Sequence, residues 1–389
     1  MNKIFKVFLL IIFSFIFLCN LAFSNETKFV EKKIKVGLLV PLTGYNSELG
    51  KQILKAIRMA LKDLGNSQIE IYPRDTQSDP NKTLLSAIEL ENMGISLVIG
   101  PVFYENLIYL DEVKNITFLS LTNKTLDLPK NVISSGINST SQINTIKEFI
   151  EMNEIKKSIF LIPNLNYDQE IKKGIQNSKI KIFKQHYYDN EPTKLTKQIE
   201  KITNYGIRKQ NLLDEIKRLE NSDDQAKERK IENLKKRYTL GNLKFDSIIV
   251  ADFDESLKSV ITSLLYTDVS PKDYYIITLN QWFDESLMNE SALQPIYYPS
   301  INKKNLDDFK KKFFKEYNQN PNYLSLLSYD LIGLVYYLSL KNDLSQIDKA
   351  FKIKNSFKGK IGTFNIKNNK INHKLNFYQV TKGSIKEIF

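Results

Sequence analysis

The chain has 389 residues, 42% hydrophobic and 26% charged, which is enough apolar material for one or two packed cores and excludes an intrinsically disordered chain. Its net charge of +12 comes mostly from lysines scattered among Asn and Ile. Such scatter is ordinary surface charge and argues against a nucleic-acid partner, which calls for a concentrated basic patch.

The opening MNKIFKVFLLIIFSFIFLCNLAFSNE has a basic start at Lys3 and Lys6 and an apolar run to about Phe23. Ala22-Phe23-Ser24 then supplies the small residues a signal peptidase needs. Residues 1–24 are expected to be a signal peptide cleaved after Ser24, which exports the mature chain to the periplasm without any cysteine. Two alternatives stay open at this stage: a membrane anchor through Val7 to Leu18, and lipid attachment at Cys19, which the bulky Leu18 disfavours.

From Val36 onward the chain alternates. Val36 to Val40 is a short β-branched strand closed by Pro41, and Ile53, Ala56, Ile57, Ala60 and Leu61 then recur at helical spacing. Strands are expected at Ile69 to Tyr72, Leu97 to Ile99, Ile116 to Leu121 and Val132 to Ser135. Between them lie helices from Asp79-Pro80 through Met93 and from about Tyr104. A second series follows: a helix face at Ile143, Ile146, Phe149 and Ile150, a strand at Ser158 to Ile162, a helix at Asp168 to Ile175, a strand at Ile180 to Tyr187, and a helix at Leu195 to Ile202.

Residues 207–240 interrupt this order with a charged run, broken by NSDDQ, that reads as a helical hairpin insertion. Strands resume at Phe245 to Ala251 and Tyr274 to Leu279, around a helix through Leu257 and Leu264. Helices at Leu306 to Tyr317 and Leu324 to Leu338 and strandlike Lys360 to Ile366 and Leu375 to Val380 complete the chain. The pattern is an α/β fold of two units with parallel sheets, and ligands bind such sheets at the carboxyl ends of the strands.

Catalytic motifs are sparse. His186 ends a predicted strand and His373 sits in a polar Asn/Lys loop, neither with a metal-spaced partner or a GxSxG elbow. Ser178 to Lys181 matches Ser-x-x-Lys formally, but in a turn rather than at a helix start. Neither catalysis nor a cofactor is expected. The strand-end loops instead offer hydroxyls, amides and aromatic faces: Thr43, Tyr45, Phe103, Tyr104, Ser120, Thr122, Asn123, Tyr167, Asp252, Phe253, Gln281 and Trp282. Together they suit a small polar ligand.

KVGLLVPLTGYNSELGKQILKAI, PRDTQSDPNKTLLSAIEL, LVIGPVFYENL, ITFLSLTN and FKKKFFKEYNQNPNYLSLLSYDLIGLVYYL together resemble the type I periplasmic binding proteins of the leucine-binding branch. The resemblance implies two Rossmann-like lobes joined by a three-segment hinge near Ser135 to Asn138, Leu279 to Trp282 and after Ile353. On that reading residues 34–137 plus 283–330 form the first lobe and 138–282 plus 331–389, with the insertion, form the second. In amino-acid-binding members first-lobe hydroxyls and amides hold the ligand carboxylate, and Tyr104, Ser120 and Thr122 match that set by position. For the aromatic and acid that hold the ammonium, Asp252 and Phe253 follow the expected strand, while the last strand leads to Asn280 and Gln281 without an acid.

IGPVFYENL, the insertion and TLNQWFDESLMNESAL are also similar to the bacterial penicillin-binding-protein activators, which share the fold. Two functions therefore follow from resemblance. One is a solute-binding protein closing on a small polar ligand, an amino acid or related compound, for the permease of an ABC transporter. The other is an envelope regulator contacting a peptidoglycan synthase.

Overall fold

The computed structural model describes residues 33–65, 68–341 and 347–389; the expected signal peptide and Cys19 lie outside them. The first sheet is built as the sequence alternates: β1 (Ile34–Val40), α1 (Ser47–Leu64), β2 (Ile69–Asp75), α2 (Pro80–Asn92), β3 (Leu97–Ile99), β4 (Thr117–Ser120) and β5 (Val132–Ser134). All five strands are parallel, in the order β2-β1-β3-β4-β5. Asp79 caps α2 by accepting from the Lys82 amide, and Pro80 occupies the first turn, where its missing N–H costs nothing. Instead of a helix from Tyr104 the chain makes two 3-10 turns, Tyr104–Leu107 and Leu110–Glu112. Buried Leu107, Leu110 and Val113 recur every three residues, the period of that tighter helix.

The chain then crosses to the second unit through residues 135–138. There follow α3 (Ser139–Met152), β6 (Ser158–Pro163), α4 (Asp168–Ser178), β7 (Lys184–Tyr188), α5 (Pro192–Ile202), the hairpin α6 (Tyr205–Glu220) and α7 (Lys227–Lys235), β8 (Ser247–Val250), α8 (Asp254–Tyr266), β9 (Tyr275–Thr278), the short α9 (Ser286–Asn289) and β10 (Ile296–Ser300). After β10 come α10 (Lys303–Tyr317), α11 (Tyr323–Ser339), α12 (Ile347–Ala350), and the antiparallel three-stranded sheet β11 (Asn355–Lys358), β12 (Thr363–Lys367) and β13 (Lys370–Lys374). Two closing strands, β14 (Asn376–Thr381) and β15 (Ser384–Glu387), complete the second sheet in the order β15-β14-β10-β9-β8-β6-β7. β14 runs antiparallel to both its neighbours, β10 and β15, and the other paired strands of this sheet are parallel.

The division into lobes differs from the expected one in two stretches. β10 pairs with β9 and β14, so residues 296–300 lie in the second sheet rather than the first lobe. Leu334, Val335 and Leu338 of α11, with Phe364 and Ile371 from the small sheet, share the core of Val36, Leu38, Ile53 and Ile57. Residues 331–341 and 349–375 therefore belong with the first sheet. The middle crossing follows β10 at residues 301–302, not Leu279 to Trp282, and the third lies at Leu375. Trp282 and Phe283 do reach the first-lobe core, but the chain returns to the second sheet before leaving it. His373 is no loop residue: it sits in β13, buried, against the first crossing.

Candidate functional site

The carboxyl ends of both parallel sheets face the hinge, and the loops there hold the side chains singled out from sequence. They fall into separate groups. After β1, Thr43 donates through its hydroxyl to Asp75 Oδ2 at 2.5 Å, and the Leu42 and Thr43 amides donate to Asp75 Oδ1. Burial raises the Asp75 pKa, but hydrogen bonds from Thr43, Leu42 and Gln77 outweigh that and hold it below the usual carboxylate value. Tyr45, beside this turn, is fully exposed.

After β3, Gly100 has φ of +101°, and a Cβ there would stand 2.2 Å from the Leu39 carbonyl oxygen. Only glycine fits this close approach. Ser120 is buried and donates to the Pro101 carbonyl while accepting from the Thr122 amide. Thr122 Oγ1 accepts from the Lys124 amide, and its carbonyl accepts from Ser134 and Gly136. Ser120 and Thr122 thus spend their hydroxyls inside their own lobe. Phe103 packs on the first core, Asn123 is exposed, and Tyr104 lies under the Lys124 ammonium, 4.3 Å from its ring centre.

In the second lobe the structure does bring predicted residues together. Asp252 is buried and accepts from Tyr188 Oη at 2.7 Å, Asn190 Nδ2 at 3.2 Å, the Phe253 amide at 3.0 Å and Tyr167 Oη at 3.5 Å. Burial raises its pKa despite these donors, and burial beside Asp252 pushes the Tyr167 and Tyr188 hydroxyls up as well. Gln281 donates to the Asp252 carbonyl, Thr278 Oγ1 and the Leu279 carbonyl. The Tyr167 and Phe253 rings stand 6.1 Å apart, edge to face. Trp282 is apart from this group, its ring centre 4.6 Å from that of Tyr323 and tilted by 31°.

A contact between the lobes joins residues that sequence reasoning did not single out. Glu170, in the first turn of α4, accepts from the Thr125 amide at 2.7 Å, the Thr125 hydroxyl at 2.7 Å and the Leu126 amide at 2.8 Å. One second-lobe carboxylate therefore grips the loop after β4, and charged acceptors make the stronger class of hydrogen bond. The hinge is tied too: Asn138 donates to the Ile371 carbonyl, the His373 amide donates to Ser141, and His373 Nε2–H donates to the Ser135 carbonyl at 2.8 Å. Burial depresses the His373 pKa to about 4, so the ring is neutral at neutral pH.

Among the described residues no group of three or more His, Cys, Asp or Glu could share a metal ion, and no helix is long and apolar enough to cross a membrane. Residues 33–207 match the family model described as periplasmic binding protein. The chain has the type I periplasmic-binding-protein fold.

Solved structures agree across both lobes. The LpoA (YraM) C-domain from Haemophilus influenzae, a regulator of PBP1A, is similar with a TM-score of 0.62 at 15% identity, over 91% of this chain and all of that one. Full-length LpoA from the same organism is matched over 92% of this chain but only 59% of its own length. A putative branched-chain amino acid ABC transporter protein from Rhodospirillum rubrum gives 0.68 at 12% identity, over 92% and 100%. The substrate-binding protein LivJ from Streptococcus pneumoniae, in complex with isoleucine, gives 0.52 at 16%, over 91% and 98%. The fold thus serves both solute binders and a regulator. No curated protein matches the sequence.

Proposed function

We propose that the chain is an exported envelope protein that has kept the solute-binding fold but works through protein contacts, with a peptidoglycan synthase as the class of partner. The observation that carries this reading is the Glu170 grip on Thr125 and Leu126, which bridges the lobes through three hydrogen bonds. In a solute courier the ligand contacts both lobes only when they close, so its differential affinity drives closure. A chain whose lobes are already bridged has less need of one. The neighbouring polar groups support the same reading, because Ser120, Thr122, Asp252 and Gln281 are engaged within their own lobes.

A solute-binding role for an ABC permease is the second reading, favoured by the half-buried Tyr167 and Phe253 rings at the strand ends, which could stack on a ligand. The deciding experiment combines a thermal-shift screen against amino acids and small amides with a direct binding measurement to the purified peptidoglycan synthase of the same cell. The regulator reading expects no amino acid to raise the melting temperature and the synthase to bind. A reproducible shift with one amino-acid class, without synthase binding, would move the assignment to solute transport.

A further inference from the structure

A cavity of about 460 Å³ lies beside the hinge, away from the Asp252 group. Its walls come from three parts of the chain: the first-lobe loop around Thr125 and Leu126, the paired helices α3 and α4, and the turn between β12 and β13. Four exposed or partly exposed amides, Asn144, Asn177, Asn368 and Asn372, line it with the exposed Lys173 and Lys370. The lining holds no Asp or Glu, and neither lysine has an acidic partner among the described residues.

The floor is polar as well. Asn138 and Thr140 are buried there, and Asn177 Nδ2 donates to Thr140 Oγ1 at 3.3 Å. Asn369, also in the lining, has a buried carboxamide oxygen without a hydrogen-bond partner.

From these side chains we infer that the hinge cavity is a binding site for a small hydroxylated carboxylate, a sugar acid. Carboxamides both donate and accept, as ring hydroxyls require. The two ammonium groups match a carboxylate and would have nothing to do for a neutral sugar. At about 460 Å³ the cavity falls in the range of small-molecule sites. Thr125 and Leu126 belong both to its wall and to the Glu170 grip, so an occupant touches both lobes and favours the gripped arrangement. The inference does not depend on the regulator reading, since a courier could carry the same site.

The test is calorimetric titration of the purified protein with glucuronate, with glucose as the neutral control, repeated on the double variant K173Q/K370Q. Both lysines are exposed, so the variant is expected to fold, and its melting temperature verifies that. The site predicts saturable glucuronate binding, no glucose binding, and affinity weakened at least about tenfold in the double variant. Absence of glucuronate binding, equal binding of glucose, or unchanged affinity in the variant each overturns it.

Discussion

Two carboxylates at the ends of neighbouring second-lobe elements are used in opposite ways. Asp252 turns inward, and Tyr188, Asn190, Tyr167 and its own lobe's backbone satisfy it. Glu170 turns outward and takes all three of its hydrogen bonds from the other lobe. The difference separates integrity from posture: one acid holds a lobe together, the other sets how the lobes stand.

Replacing Asp252 by Ala is the most damaging way to probe the contrast. It leaves the Tyr188 hydroxyl buried without an acceptor and Asn190 Nδ2 with Ser256 Oγ alone, a loss on the order of 4 kcal/mol. Chemical denaturation should show that loss, while small-angle scattering finds the lobe separation of the folded fraction unchanged. A wider separation would mean that Asp252 also governs posture.

The hinge responds to pH as well. His373 titrates near 4 when folded and near 6.5 when unfolded, so its contribution is full above pH 6.5 and is lost as pH falls towards 4, about 3 kcal/mol in all. Buried Asp330 acts with the opposite sign. Burial raises its pKa to about 6 against the Ile361 and Lys360 backbone donors, so stability falls as pH rises from 3.8 to 6. The two offset each other between about pH 4 and 6. In Asp330→Asn, melting temperature should climb steadily across that window, and a flat profile would count against the assignment of the slope to His373.

Glu170→Ala costs less stability, about 2 kcal/mol, because the freed Thr125 and Leu126 donors can turn to water. Its main effect should be posture: an increased radius of gyration, with the second lobe's own hydrogen-exchange protection intact. Thr125→Val, which keeps the amide bonds and removes only the hydroxyl, should open the lobes least and cost about 1 kcal/mol. If it opens them as far as Glu170→Ala does, the side-chain bond rather than the backbone pair carries the grip.

The alternating strands and helices of the first sheet were legible because each strand is a short apolar run closed by turn residues, as in Val36 to Val40 before Pro41. β10 was not. Its sequence IYYPS holds Pro299, which cannot donate to a ladder and reads as a strand breaker, yet it pairs opposite Phe377. Missing that one strand moved the expected middle crossing from 301–302 to 279–282 and displaced the lobe boundaries with it. The strand-end logic did bring Tyr167, Asp252, Phe253 and Gln281 to one place. It missed Tyr188, the last residue of an edge strand whose other side chains are mostly exposed, and Asn190 just beyond it. It also missed Glu170, since an acid in the first turn of a helix looks like ordinary dipole compensation, and its partners are largely backbone amides that no residue type announces.

The hairpin of α6 and α7 is held at one end only. The Arg208 guanidinium, buried at its root, donates to the Thr267 carbonyl at 3.1 Å, Thr239 Oγ1 at 2.7 Å, and the Gly241 and Asp268 carbonyls at 3.4 and 3.3 Å. The same side chain thus clamps the outgoing helix and the returning strand of chain to the loop after α8. Beyond it the arm's own side chains bond within the arm, Arg218 to Glu215, Lys230 to Asp224 and Lys227 to the Ser222 carbonyl. That makes the root a socket, into which different arms can be fitted while the lobes beneath keep their shape.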